Sequence, residues 1–85
     1  MIDYRTIPTH MQDAARRYIE DGIMPGSFLE AVLANDLLGA ITRADHINRA
    51  LLSSYHDFLV TIPMSAKGSY EAVHMWCKHN GMRGL

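Results

Sequence analysis

Thr9-His10-Met11-Gln12-Asp13-Ala14-Ala15-Arg16-Arg17-Tyr18-Ile19-Glu20-Asp21-Gly22 reads as one amphipathic helix with both ends marked. Met11, Ala14, Ala15 and Tyr18 recur at spacings of three and four and form one apolar stripe, with Ile19 at its margin. Arg16, Arg17 and Glu20 fall on other faces. Thr9 followed by Gln12 has the form of a capping box, and Pro8 keeps the preceding residue extended. Gly22 suits the left-handed position that ends a helix, with Pro25 three residues beyond it.

The same punctuation recurs downstream. Ser27 and Glu30 suggest a second capping box, with Phe28, Leu29, Val32 and Leu33 on the inner face. Asn35-Asp36 predicts a break, because both side chains compete with helical backbone bonds. Leu37, Leu38 and Ile41 resume the apolar pattern across Gly39, as a short helix or a tilted continuation. One unbroken helix over 27–60 is the alternative. A third helix is expected from near Thr42 to Ile62, burying Ala44, Ile47, Leu51, Tyr55, Phe58 and Ile62. Pro63 ends it. A loop over 63–68 leads to a helix from Ser69 to about His79, with Tyr70, Val73, Trp76 and Cys77 inside. Asn80-Gly81 stops it. No window alternates with period two, so no strand is expected. The fold class read from this pattern is all-α: one small orthogonal or bundle-like domain of four to five short helices spanning 1–85. Its ordered core is expected over 7–80, with a frayed tail at 81–85.

Composition sets the bounds. The 85 residues are 48% hydrophobic and 20% charged, which is ordinary for a folded globule. The net charge of −1 suits neither a nucleic-acid binder nor a DNA mimic. No apolar run approaches the roughly 20 residues that span a bilayer, and no signal-peptide core opens the chain. One cysteine, Cys77, precludes an intramolecular disulfide and fits a reducing cytoplasm. A domain this small has a modest core, so self-association into a homo-oligomer is expected.

Catalytic chemistry finds little support in the sequence. His74 and Cys77 share a helix face, but His79 points elsewhere, short of the four ligands of a structural zinc site. No orienting carboxylate or oxyanion hole accompanies Cys77 as a nucleophile. The carboxylate pairs Asp36/Asp45 and Asp13/Glu20 read as solvated charge. No catalytic residue, metal or cofactor is assigned, and the chain reads as a non-enzyme. The polar segment is more suggestive. Asn35, Asp36, Arg43, Asp45, Asn48 and Arg49 either satisfy helix ends or form a recognition surface, with an arginine facing a phosphate or carboxylate. Lys67 beside Gly68-Ser69 places positive charge at a helix start, without the spacing of a P-loop. Trp76 is a candidate aromatic contact. Met24 and Met64 fall in loops, where methionine suits an adaptable contact surface.

The ordered series Ile7-Pro8-Thr9-His10-Met11-Gln12, Arg17-Tyr18-Ile19-Glu20-Asp21-Gly22, Pro25 through Leu37, Arg43-Ala44-Asp45, Asn48, Ile62-Pro63, Gly68-Ser69, Val73 and Trp76 resembles a group of short proteins encoded by tailed phages and prophages of bacteria. The similarity covers about residues 7–82 and brings no catalytic residues with it. It implies an accessory protein in the host bacterial cytoplasm. Two counter-defence routes fit such a protein. One is inhibition of a host protein or complex, as an anti-CRISPR does, through an apolar and polar patch. The other is an oligomeric sponge for a signalling nucleotide, drawing on Arg43, Arg49, Lys67, Ser69, Tyr55 and Trp76. A structural or interaction protein without a defence role is the third reading. Neither direct DNA binding nor membrane contact is expected.

Overall fold

In the computed structural model, which describes residues 2–85, every regular element is helical. The α-helices are α1 (Thr9–Asp21), α2 (Ser27–Leu33), α3 (Leu37–Arg43), α4 (His46–Ala50), α5 (Ser54–Leu59) and α6 (Tyr70–Lys78). Short 3-10 turns stand at Tyr4–Thr6, Met64–Ala66 and Gly81–Gly84. The all-α class is as the sequence predicts, but the chain is cut into more and shorter helices than four or five. Among the described residues no helix is long and apolar enough to cross a membrane. The accessible surface, 5171 Å², is close to the roughly 5,100 Å² expected of a folded monomer of this mass.

Local chemistry explains where each helix begins and ends. α1 starts one residue earlier than expected, at Thr9 itself. Pro8 takes the N-cap position and its carbonyl accepts from Met11 N, so Thr9 is already helical and caps nothing. The Gln12 amide donates to the Ile7 carbonyl at 3.0 Å, tying the incoming chain to the first turn. Gly22 is left-handed at φ 71 and its N–H bonds back into the last turn, as predicted. In α2, Gly26 holds the cap position without a side-chain bond, and Ser27 is the first helical residue. Glu30 does not close a capping box. It meets His74 of α6 instead, at 3.2 Å.

The long stretch 27–60 forms four helices, more than the one to three expected. Asn35 adopts φ 63, a left-handed conformation that asparagine tolerates, and Asp36 caps α3 by accepting from Gly39 N at 2.9 Å. Ala44 is extended, and Asp45 caps α4 by accepting from Asn48 N at 2.7 Å. A turn over 51–53 then separates α4 from α5. This third break changes the helical phase. Ile47 and Leu51, expected inside, are exposed, while Asn48 is buried. Ser69 caps α6 as predicted, accepting from Ala72 N at 3.0 Å, and left-handed Asn80 and Gly81 end the segment. The tail expected to fray forms the last 3-10 turn, which lies against the end of α1, with Arg83 paired to Asp21.

The core gathers Tyr18, Ile19, Leu29, Leu33, Tyr55, Phe58 and Val73, all essentially inaccessible. Two polar bonds cross it. The Trp76 indole N–H donates to the Tyr18 carbonyl at 2.9 Å, and the Tyr18 hydroxyl donates to the Ala66 carbonyl at 2.7 Å. They fasten α6, α1 and the Met64–Ala66 turn together. Each apolar ring is buried together with the polar atom it carries, at no desolvation penalty. Among the described residues no buried side-chain nitrogen or oxygen lacks a partner.

Candidate functional site

α3 is packed inside out. Of its seven residues only Ala40 is buried, whereas Leu37 is 66% exposed, Leu38 76% and Ile41 37%. Gly39 and Ala40, the smallest residues, lie on the sides nearer the body, and the large apolar side chains form a ridge facing away from it. Beside this ridge runs a groove between α2, α3 and α5 with two lobes of about 320 and 210 Å³. Val32, Asn35 and Leu59 line both, so the two lobes adjoin. Ala31, Ala40, Leu52 and Tyr55 complete the first lobe, with Leu37 on its wall and Asp36 and His56 as its charged or titratable groups. Leu33 and Met64 line the second, with Lys67 at its edge. The groove is open and largely apolar, and an exposed apolar ridge flanks it.

The residues singled out by sequence separate into three groups. Asn35 and Asp36 border the groove. The Asp36 carboxylate accepts from the Tyr70 hydroxyl at 2.5 Å and from Gly39 N. Those bonds, the phenol's foremost, hold its pKa below the usual carboxylate value, with the Arg43 charge assisting. The same bond raises the Tyr70 phenol. The Asp36 carboxylate and the Arg43 guanidinium both close over Gly39, and a Cβ there would require these two side chains to shift. Asp45 and Arg49 sit on and around α4. Asp45 faces His10 at 3.1 Å, and Arg49 donates to the Ile41 carbonyl at 3.3 Å. The Asn48 amide bond aids the ionised Asp45 most, and His10 adds to it, so that carboxyl too lies below its ordinary value.

The third group is committed to the fold. Asn48 is buried and accepts from the Tyr55 hydroxyl at 2.6 Å, so it is no recognition residue. Trp76 is buried with its indole N–H engaged, and Tyr55 packs edge-on against Phe28 with ring centroids 5.3 Å apart. Neither ring offers a free face for stacking on a base. Lys67 donates to the Leu59 carbonyl, and Ser69 is an N-cap. The polar residues chosen as one surface are therefore not brought together as a site.

Sequence reasoning missed the ridge, because apolar residues at helical spacing read as core. The available signal was Gly39-Ala40, two residues too small to fill a core, set between three large ones. Cys77 is half-buried, with burial raising its thiol pKa. Among the described residues no three His, Cys, Asp or Glu side chains gather closely enough to hold a metal ion. The fold and groove define a small helical domain with an exposed apolar face. Comparison of the chain with family models, curated proteins and solved structures finds no match.

Proposed function

We propose that this chain is a small phage accessory protein that binds a host protein through the groove between α2, α3 and α5 and the adjoining α3 ridge, in a counter-defence role such as anti-CRISPR-type inhibition. The observation that carries the binding reading is the inverted packing of α3. Burying a leucine-sized side chain stabilises by about 1.5–3 kcal/mol, so covering what Leu37, Leu38 and Ile41 leave exposed is worth about 3–4 kcal/mol gross. That is two to three decades of affinity, concentrated in one short helix, as interface hot spots are. The resemblance to phage-encoded proteins supplies the biological setting. The nucleotide sponge is disfavoured because Tyr55 and Trp76, the aromatics it would stack on, belong to the core.

The test compares the native chain with Leu38→Asp. Leu38 is mostly solvent-exposed, so the substitution should leave stability within about 0.5 kcal/mol. A host protein that co-purifies stoichiometrically with the native chain should bind the purified variant at least tenfold more weakly in calorimetry. Undiminished binding would refute the groove reading. A rise in melting temperature with a cyclic or ADP-ribose-type nucleotide would replace it with the sponge. Self-association is part of the proposal and is read separately by light scattering at micromolar concentration. A monomer that still binds its partner would remove the oligomer and leave the groove.

A further inference from the structure

Residues 45–53, which comprise α4 and the turn after it, are attached to the body in an unusual way. The only buried side chain among them is polar, that of Asn48. Ile47 and Leu51, the large apolar residues that would ordinarily anchor such a helix, are about half exposed, and Leu52 is only partly covered. Besides the Ser54 hydroxyl, which donates to the Leu51 carbonyl at the junction with α5, three side-chain hydrogen bonds hold the segment: Tyr55 to Asn48 at 2.6 Å, Arg49 to the Ile41 carbonyl at 3.3 Å, and His10 with Asp45 at 3.1 Å. The last two are exposed to water, where such bonds contribute little. Little apolar surface is therefore lost when the segment leaves, whereas every other α-helix except α3 buries large apolar side chains. Segments with few buried apolar contacts are the ones that open locally, well below the free energy of global unfolding.

What the segment touches gives the opening a consequence. Leu52, inside it, and Tyr55, at its far end, both line the first lobe of the groove. The Tyr55 hydroxyl is held by Asn48. We propose that residues 45–53 are a flap that leaves the body and melts as a unit, between extended Ala44 and the start of α5, because so short a helix does not hold its own bonds once detached. In doing so it releases Tyr55 and widens the groove to admit a partner. The gating role rests on the binding function proposed above. The flap itself does not.

Native-state hydrogen exchange tests it on the intact chain. The amides of Asn48, Arg49 and Leu51, each hydrogen-bonded within the segment, should exchange faster than those of Tyr18, Ile19, Val73 and Trp76, with a much weaker dependence on denaturant. Tyr55→Phe deletes one hydroxyl and leaves Asn48 without its donor, and should accelerate the flap amides by roughly 10- to 100-fold. Ile19→Val weakens the body without touching the flap. It should accelerate the α1 and α6 amides and leave the flap amides unchanged. Flap amides that share the rate and denaturant dependence of α1 and α6, or that ignore Tyr55→Phe, would overturn the proposal. The gate is read with the dye 1-anilinonaphthalene-8-sulfonate, whose binding should rise severalfold in Tyr55→Phe. Unchanged dye binding in a variant whose flap amides do accelerate would overturn the gate specifically. No partner enters these measurements, so their failure is distinct from failure of the binding reading.

Discussion

Gly22→Ala tests the packing of the fold at its tightest point. Gly22 ends α1 at φ 71, and the left-handed Gly81 of the C-terminal turn crosses directly over it. A methyl group on Gly22 would fall 2.6 Å from Gly81 N and 2.8 Å from both the carbonyl carbon and Cα of Asn80. All three are backbone atoms, so no side chain can rotate away. The left-handed conformation costs alanine about 1–2 kcal/mol. Forcing the two backbones apart adds about 1–3 kcal/mol, as overpacking does elsewhere. The total of about 2–5 kcal/mol is a large share of the about 4–13 kcal/mol available to a domain of this length. At about 4–8 °C per kcal/mol, the melting temperature should fall by at least about 10 °C in a circular-dichroism melt. Gly22→Asn separates the two causes. Asparagine tolerates the left-handed region but still carries a Cβ, so it should recover only the conformational part. If Gly22→Ala stays within about 0.5 kcal/mol of the native chain, or Gly22→Asn matches it, the close backbone crossing is refuted.

Other outcomes follow from the caps and the carboxylates. Asp36 and Asp45 have folded pKa values below their ordinary value, so the stability they give is present above about pH 4 and is lost as pH falls through the folded values. The urea midpoint should therefore drop between about pH 5 and about pH 2.5, and Asp36→Asn and Asp45→Asn should each flatten that profile while lowering the midpoint at neutral pH. Gly26 caps α2 with backbone angles a serine accepts, and a Cβ there would meet nothing within 4 Å. Gly26→Ser should add about 0.5–1 kcal/mol by supplying the missing cap bond and stiffening the unfolded chain. Tyr18→Phe leaves the buried Ala66 carbonyl without its donor and should cost about 1–3 kcal/mol in equilibrium unfolding.

What the sequence by itself determined is local. Gly22, Asp36, Asp45, Ser69 and Asn80 each act on atoms within about four residues, through a left-handed φ or a carboxylate or hydroxyl accepting a backbone N–H. Except at Asp45, which was expected inside a helix starting near Thr42, their effect was legible before any tertiary contact was known, and with the apolar spacing it was enough for the all-α class and for the break at Asn35-Asp36. The inner faces of α1 and α2, and Val73 and Trp76 of α6, were legible too, but only the tertiary structure decided what fastens them and which faces of α3 and α4 are inside. Trp76 is fixed in place as its N–H meets the Tyr18 carbonyl 58 positions away, and the C-terminal turn is held because Gly81 meets Gly22. Asn48 went inward and Ile47 outward because the 51–53 turn reset the helical phase, which an unbroken periodic reading over 42–62 does not register. The exposed apolar ridge was hidden for the same reason. Helical spacing shows that Leu37, Leu38 and Ile41 share a side of α3, but only the body beneath α3, which accepts Ala40 there, shows that this side faces out.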